Sequence, residues 1–341
     1  MKDITIIGGG PAGLFASFYS GLRDMSVQII EFQDKLGGKM HVYPEKIIWD
    51  IGGVPPKPSY EIIEDIVAQG LHFSPDVHLN ERVVNIEKFE EHHFVVTTAS
   101  GASFHSKAVI IAVGGGIIQP LTLEIEGATR YEVTNLQYVV QSVQKYKDKK
   151  LVISGAGNAA LDWAVTLAPH AKSVVLCYRK DEISGHEHMK EELARLGVIE
   201  KKRTVITQLM ADATGQRIEK VELTQGDTTE VIAVDEVIIS HGFNRDASLL
   251  DQATIQLERY DDFYIQGQGN ASSSVAGIFA CGDIVKHPAK VHLIASAFND
   301  AANAANLAKQ YIEPTARENG RVSSHNERFK EKNKQVLQNY L

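Results

Sequence analysis

The sequence predicts an α/β chain of two doubly wound domains, the second inserted into the first. Three observations predict it. The strand-like run Asp3-Ile4-Thr5-Ile6-Ile7 enters Gly8-Gly9-Gly10-Pro11-Ala12-Gly13, an apolar helix follows, and the strand Val27-Gln28-Ile29-Ile30 ends on Glu31. Leu151-Val152-Ile153-Ser154 enters Gly155-Ala156-Gly157-Asn158-Ala159-Ala160, a helix follows again, and Val174-Val175-Leu176-Cys177-Tyr178 ends on Arg179 and Lys180. Late in the chain, Gly277-Ile278-Phe279-Ala280-Cys281 is one more strand, closing on Gly282-Asp283. Strand, G-x-G-x-x-G, helix, strand and a charged residue is the order of a Rossmann-like, three-layer ββα nucleotide-binding unit.

Each element has a reason. In the first fingerprint Gly8 permits the turn, Gly10 lets the backbone approach a pyrophosphate, and Gly13 allows the helix to pack closely on the strand, while Pro11 and Ala12 open the helix whose positive end faces the phosphates. In the second, Gly155 and Gly157 repeat those tasks, Asn158 and Ala159 open the helix, and Ala160 stands in the third glycine's place, which the fingerprint tolerates. After the first unit, Phe94–Thr98 and Ala108–Ala112 flank the turn-like Ser100-Gly101-Ala102-Ser103 as a hairpin feeding a central strand. After the second, Ile218–Leu223 and Val231–Val234 flank Gln225-Gly226-Asp227, followed by the strand Asp235–Ser240. The helix from about Ile294 to Gln310 follows Asp283, and its positive end suits a ring edge that gains negative charge on reduction. The expected domains are residues 1–118 with 275–341, and 119–274 between them. Linkers at 120–132 and 266–274 give the connectivity of a hinge.

The two strand ends name different nucleotides. A carboxylate at Glu31 accepts hydrogen bonds from a ribose diol and repels a 2′-phosphate, whereas Arg179 and Lys180 attract that phosphate. FAD is expected at the first site and NADPH at the second. His186 and His188 either assist the 2′-phosphate or are solvated loop residues.

Composition excludes several classes. With 341 residues, 43% hydrophobic and 23% charged, the chain suits two globular domains. A net charge of −8 argues against a general nucleic-acid binder. No apolar run approaches the ~20 residues needed to span a bilayer. The first strand begins at once, which leaves no room for a signal peptide, so a cytoplasmic protein without membrane association is expected. No metal site is expected. The two cysteines, Cys177 and Cys281, are read as small core residues, and no C-x-x-C occurs.

On Gly8–Gly13, Glu31, Leu36-Gly37-Gly38-Lys39, Gly155–Ala160, Arg179-Lys180 and Cys281-Gly282-Asp283, the whole chain resembles pyridine-nucleotide flavoproteins built like low-molecular-weight thioredoxin reductase. Those carry a redox C-x-x-C ahead of the second fingerprint, and Thr134–Gln141 here has no thiol, so dithiol chemistry is unavailable. Tyr43-Pro44-Glu45-Lys46, Asn158–Ala164, Leu293-Ile294-Ala295-Ser296 and the extended tail are similar instead to the ferredoxin (flavodoxin)–NADP reductases of the thioredoxin-reductase-like type. The resemblance covers residues 1 to about 330. It implies FAD contacts at Glu31, Lys39, Tyr43, Val83, Ile118, Asp283 and Ser324, with Tyr43 against one face of the flavin, and a homodimer whose tail covers a flavin, its own or the partner's. Family members stack a ring from the tail on the other face. Counting without a gap from Pro314 puts Val322 there, and His325 takes the place if the tail carries an insertion.

The expected reaction is hydride transfer from NADPH to FAD, then transfer of single electrons to ferredoxin or flavodoxin. No side-chain acid, base or nucleophile is required. A broad NADPH-dependent diaphorase or quinone and disulfide reductase is the second reading. A redox-sensing flavin-binding regulator is the third, and the phosphate-attracting pair Arg179 and Lys180 argues against it.

Overall fold

The protein is described from a computed structural model, which covers residues 1–116, 119–183, 187–244, 246, 248–320 and 323–338. Its contacts divide it into two units. The first is Met1–His41, Lys46–Ile117 and Arg245–Leu341; the second is Val42–Glu45 and Ile118–Asn244.

In the first unit β1 (Lys2–Ile7) runs into α1 (Pro11–Leu22) and β2 (Val27–Ile30). Next come α2 (Ser59–Gly70), β3 (Asp76–His78), and the antiparallel strands β4 (Val83–Glu90), β5 (His93–Thr98) and β6 (Ser103–Ile111). The sheet order is β3-β2-β1-β6-β5-β4, and the late strand at Ile278–Ala280 pairs parallel with the end of β6. β6 thus serves two neighbours on one side: Ser103–Ser106 pair with β5 and Val109–Ile111 with the late strand. From Ile4 onward β1, and the whole of β2, are buried because both faces of a parallel sheet are covered, and their polar residues pair with each other, Gln28 Nε2 donating to the Thr5 hydroxyl at 2.8 Å.

The second unit is a parallel sheet of β7 (Leu136–Gln137), β8 (Lys150–Ser154), β9 (Ser173–Tyr178), β10 (Ile199–Lys202) and β14 (Glu236–Ile239), in the order β7-β14-β8-β9-β10. Its crossover is the antiparallel meander β11 (Val205–Ala211), β12 (Ile218–Gln225) and β13 (Thr228–Ala233). Strand alternation assigns the two faces. Leu151, Ile153, Leu176 and Tyr178 pack with Leu161, Trp163, Ala164 and Leu167 of α3 (Asn158–Leu167). Val152, Val175, Cys177, Val237 and Ile239 pack with Ile206, Ile218, Val221 and Leu223 of the meander.

Later the chain adds β15 (Ile278–Ala280) and α4 (Ile294–Ile312) to the first unit, and ends in α5 (Lys330–Gln338). The buried face of α4 is Ala297, Ala301, Ala304, Ala305 and Ala308, at helical spacing, and their small side chains let it lie close against α1.

Two features differ from expectation. The stretch 245–274, expected in the inserted domain, groups with the first unit. The cause is apolar: Leu249, Leu250, Phe263 and Ile265 fill one core with Ile86, Phe94, Ile278 and Val285, and Ile265 pairs with Val285. The second is Val42–Glu45, which groups with the inserted unit because Tyr43 packs on the cluster of Val140, Tyr146 and Ile153, and Glu45 accepts a hydrogen bond from the Val143 amide at 2.5 Å. Among the described residues no helix is long and apolar enough to cross a membrane.

Candidate functional sites

The first site lies at the carboxyl edge of the parallel strands, where β1 and β6 lead away in opposite directions, the usual place for a ligand in such a sheet. Gly8 has φ +106°, and a Cβ there would stand 2.5 Å from the Ala112 carbonyl oxygen. At Gly13 a Cβ would stand 1.9 Å from the Gly8 oxygen, so only glycine lets α1 lie this close to the turn. Gly10 is different: a Cβ there would meet only the Gly38 Cα, at 3.7 Å. The space beside it is otherwise open to within 4 Å, and no side chain caps α1 at that end, so the first-turn N–H groups are left for a pyrophosphate. Leu36-Gly37-Gly38-Lys39 lies against this turn, with the Gly37 amide donating to the Gly9 oxygen at 2.8 Å, and exposed Lys39 follows directly.

Glu31, 7% exposed, accepts from the Gly9 amide at 2.6 Å and from the Gln33 amide at 2.8 Å. Burial pushes its carboxyl above the ordinary range, and those amides, that of Phe32 and then the charge of His41 pull it back. The closing turn of β15 arrives at the same edge. The Cys281 amide donates to the Ile111 oxygen at 3.0 Å, Gly282 has φ +79°, and a Cβ on Gly282 would stand 2.8 Å from the Ala12 Cβ. Asp283 follows, half-buried, with an oxygen 3.4 Å from His292 Nδ1. The fingerprint, Glu31, Lys39 and Asp283 are therefore brought together. A cradle with an open glycine, orphan amides and a buried carboxylate fits the pyrophosphate and ribose of FAD.

Val83 is buried in the sheet core. Tyr43 is half-buried and packed within the second unit. Ile118, Val322 and His186 lie outside the described residues, and so does the side chain of His188. Ser324 is exposed, with its hydroxyl 3.2 Å from His325 Nδ1. Two residues on, the Asn326 side chain donates to the Leu22 carbonyl at 3.1 Å, at the end of α1 remote from Gly10. Twelve helical residues put those ends about 18 Å apart. The tail is held there by its own chain. The Arg23 guanidinium donates to the Arg317 and Glu318 carbonyls, and Phe329 joins His72, Phe73 and Phe18 with ring centroids 5.3, 5.8 and 6.4 Å away.

The second site is built alike on the other unit. Gly155 has φ +155°, and a Cβ there would stand 2.3 Å from the Ser240 oxygen and 3.0 Å from the Ala160 Cβ. Ala160 is fully buried at the third fingerprint position. Gly157, Asn158 and Ala159 are exposed, a Cβ on Gly157 would meet nothing within 4 Å, and no side chain caps α3. Arg179 and Lys180 are exposed at the end of β9. The Arg203 amide donates to the Lys180 carbonyl at 3.2 Å, and the Arg203 side chain pairs with Asp181.

Sequence reasoning missed His241. Its Nε2 lies 2.8 Å from the hydroxyl of Ser154, the residue before Gly155. Desolvation of its ring and then the charge of Arg179 hold its imidazole below the ordinary range. The signal was its place after β14, matching that of Val113-Gly114 after β6.

Cys177 and Cys281 are both buried, and burial pushes the Cys177 thiol up to about 11 and that of Cys281 up as well. Neither is a thiolate at neutral pH. Cys177→Ser and Cys281→Ser are expected to retain NADPH-driven reduction of cytochrome c through ferredoxin within about twofold, once FAD content is matched. Loss of turnover in stable, FAD-replete variants would assign a thiol to the reaction. Among the described residues no His, Cys, Asp and Glu group is arranged to hold a metal ion.

Two dinucleotide sites of this kind define a two-nucleotide oxidoreductase, and the chain belongs to the pyridine nucleotide-disulphide oxidoreductase family, which matches residues 2–304. Within it, the chain is 60% identical over 343 residues to a ferredoxin–NADP reductase of Staphylococcus saprophyticus, covering 100% of both chains. It is 52% identical to ferredoxin–NADP reductase 2 of Exiguobacterium sibiricum, covering 98% of this chain and 96% of that one. The fold is that of the thioredoxin reductases of Lactococcus lactis, at TM-score 0.73, and of T. acidophilum, at 0.74. Each is 22% identical, with 92% of this chain and 99% of the other covered.

Proposed function

We propose that the protein is an FAD-dependent ferredoxin–NADP reductase, taking hydride from NADPH and delivering electrons singly to ferredoxin or flavodoxin. The observation that carries this reading is the pairing of a buried carboxylate, Glu31, at one fingerprint with the cations Arg179 and Lys180 at the other, in a chain whose thiols are buried. Bound FAD supplies the conversion of a two-electron donor into single electrons. The chain's residues do the rest. Glu31 orients the ribose diol, the amides of Gly10, Ala12 and Gly13 hold the pyrophosphate, and Arg179 and Lys180 select the phosphorylated dinucleotide. The relatives named as ferredoxin–NADP reductases support the acceptor. Steady-state assays with NADPH and ferredoxin, flavodoxin, quinone and disulfide acceptors test it. Turnover with quinones alone would leave a diaphorase.

The protein acts as a homodimer in the cytoplasm in this reading, and Tyr43 lies against the flavin. Because Asn326 ties the tail to the end of α1 remote from Gly10, the flavin that Ser324 and its neighbours cover belongs to the second copy. Truncation after Pro314 is expected to change the flavin absorbance, raise the ferredoxin KM and weaken its salt dependence, since Arg328, Lys330, Lys332 and Lys334 go with it. It also strips Arg23 of carbonyl partners, each charge-assisted bond being worth about 1.5–3 kcal/mol. Phe329→Ala loosens the tail and keeps those partners. An unchanged spectrum and salt dependence in both variants would make the tail a mere packing segment.

A further inference from the structure

A buried ion pair underlies the Gly282–Asp283 turn. Lys290 has 1% of its side chain exposed and Asp300, on the second turn of α4, has 13%. The Asp300 Oδ2 accepts from the Lys290 ammonium and also from the Gly282 amide, the latter at 3.2 Å. Gly282 has no slack on its other side, where a Cβ would press on Ala12 at the start of α1. The pair therefore fixes, from below, the backbone that meets the first fingerprint from above.

The fold does not need charge to do this. A buried ion pair is seldom more stabilising than apolar residues of the same shape, because both ions lose their hydration. Lys290 and Asp300 nevertheless occupy an interior position next to the one turn of the late strand that reaches the site. Fixed charges in a poorly solvated interior act strongly on a neighbouring group whose own charge changes, and reduction of a flavin adds negative charge to its ring.

We propose that Lys290 and Asp300 are positioning residues that hold the Gly282–Asp283 backbone for FAD and, through their opposed charges, set the reduction potential of the bound flavin. This rests on the FAD reading above. Their action is electrostatic as well as mechanical, which gives it a sign. With Asp300 neutralised, the remaining cation favours the reduced, more negative flavin and the potential rises. With Lys290 neutralised, the remaining anion disfavours it and the potential falls.

The experiment measures the flavin midpoint potential and FAD retention on gel filtration for Asp300→Asn, Lys290→Met and the double variant. Opposite shifts in the two single variants, cancelling in the double, are expected, with roughly tenfold weaker FAD retention in the singles. Shifts of the same sign, or potentials equal to that of the unmodified protein, overturn the proposal. If neither single variant folds, Asp300→Glu, which keeps the charge and displaces the contact to the Gly282 amide, is expected to weaken retention, and unchanged retention overturns it. If the unmodified protein itself binds no FAD, the assigned function fails instead, so the two failures are distinct.

Discussion

Replacing Arg179 and Lys180 together by Ala is expected to lower kcat/KM for NADPH by about two orders of magnitude while leaving that for NADH within a fewfold. A hydrogen bond to a charged partner contributes about 1.5–3 kcal/mol, and 1.4 kcal/mol is tenfold. Both side chains are exposed at the end of β9, so solvent and salt screen them and the lower end of that range applies to each. Two contacts at the lower end multiply to roughly a hundredfold. The preference should also shrink as salt rises in the unmodified protein and not in the variant. Steady-state kinetics with both dinucleotides at two ionic strengths checks this. Equal use of NADH by the unmodified protein would remove the phosphate role from these residues.

Gly13→Ala is expected to abolish FAD binding through the fold, and Gly10→Ala to abolish it without the fold. At Gly13 the added methyl would stand 1.9 Å from the Gly8 oxygen, and a backbone atom in a tight turn cannot retreat. Overpacking of a core costs about 1–3 kcal/mol, and a clash of this depth sits at or above the top of that range. At Gly10 the methyl meets only the Gly38 Cα at 3.7 Å, an ordinary contact, and takes up the space that a pyrophosphate on the first-turn amides would need. Thermal unfolding of the apoproteins with flavin-to-protein absorbance of the purified forms separates the two effects. Gly10→Ala retaining full FAD would show that the pyrophosphate lies elsewhere.

Both fingerprints were legible because their glycines answer local steric demands. Gly8, Gly13 and Gly155 each face a backbone or methyl group that no Cβ could clear, and such demands are written at the position itself. The positions of Glu31 and of the Arg179-Lys180 pair were readable locally too, since each ends a strand beside its own fingerprint. What was not legible depends on distant partners. Leu249, Phe263 and Ile265 are apolar, but nothing local says that their core contains Ile86 and Ile278 rather than Val237. Val83–Glu90 went unread as a strand because two register shifts, at Val83/Asn85 and Lys88/Glu90, break its alternation. Phe329 sits in a basic tail whose composition suggests a loose end, and only the His72, Phe73 and Phe18 surface on the body of the protein gives it a place. The Ser154–His241 contact joins two strand ends that are neighbours only after the sheet forms.

The pairing of β15 with β6 has a consequence for biosynthesis. On the ribosome β1 to β6 emerge first, yet the edge that β6 offers at Val109–Ile111 has no strand to meet until the entire inserted unit has been translated. The inserted unit is contiguous apart from Val42–Glu45 and can complete its sheet earlier. Nascent chains would thus hold an unfinished sheet with an open edge, the kind of surface that invites association between chains. Such long-range closure is slow because loop entropy must be overcome before the contacts form. Gly282 and Asp283 follow directly on β15, so the FAD cradle can close only at this last step, and flavin capture falls at the end of folding rather than guiding its start.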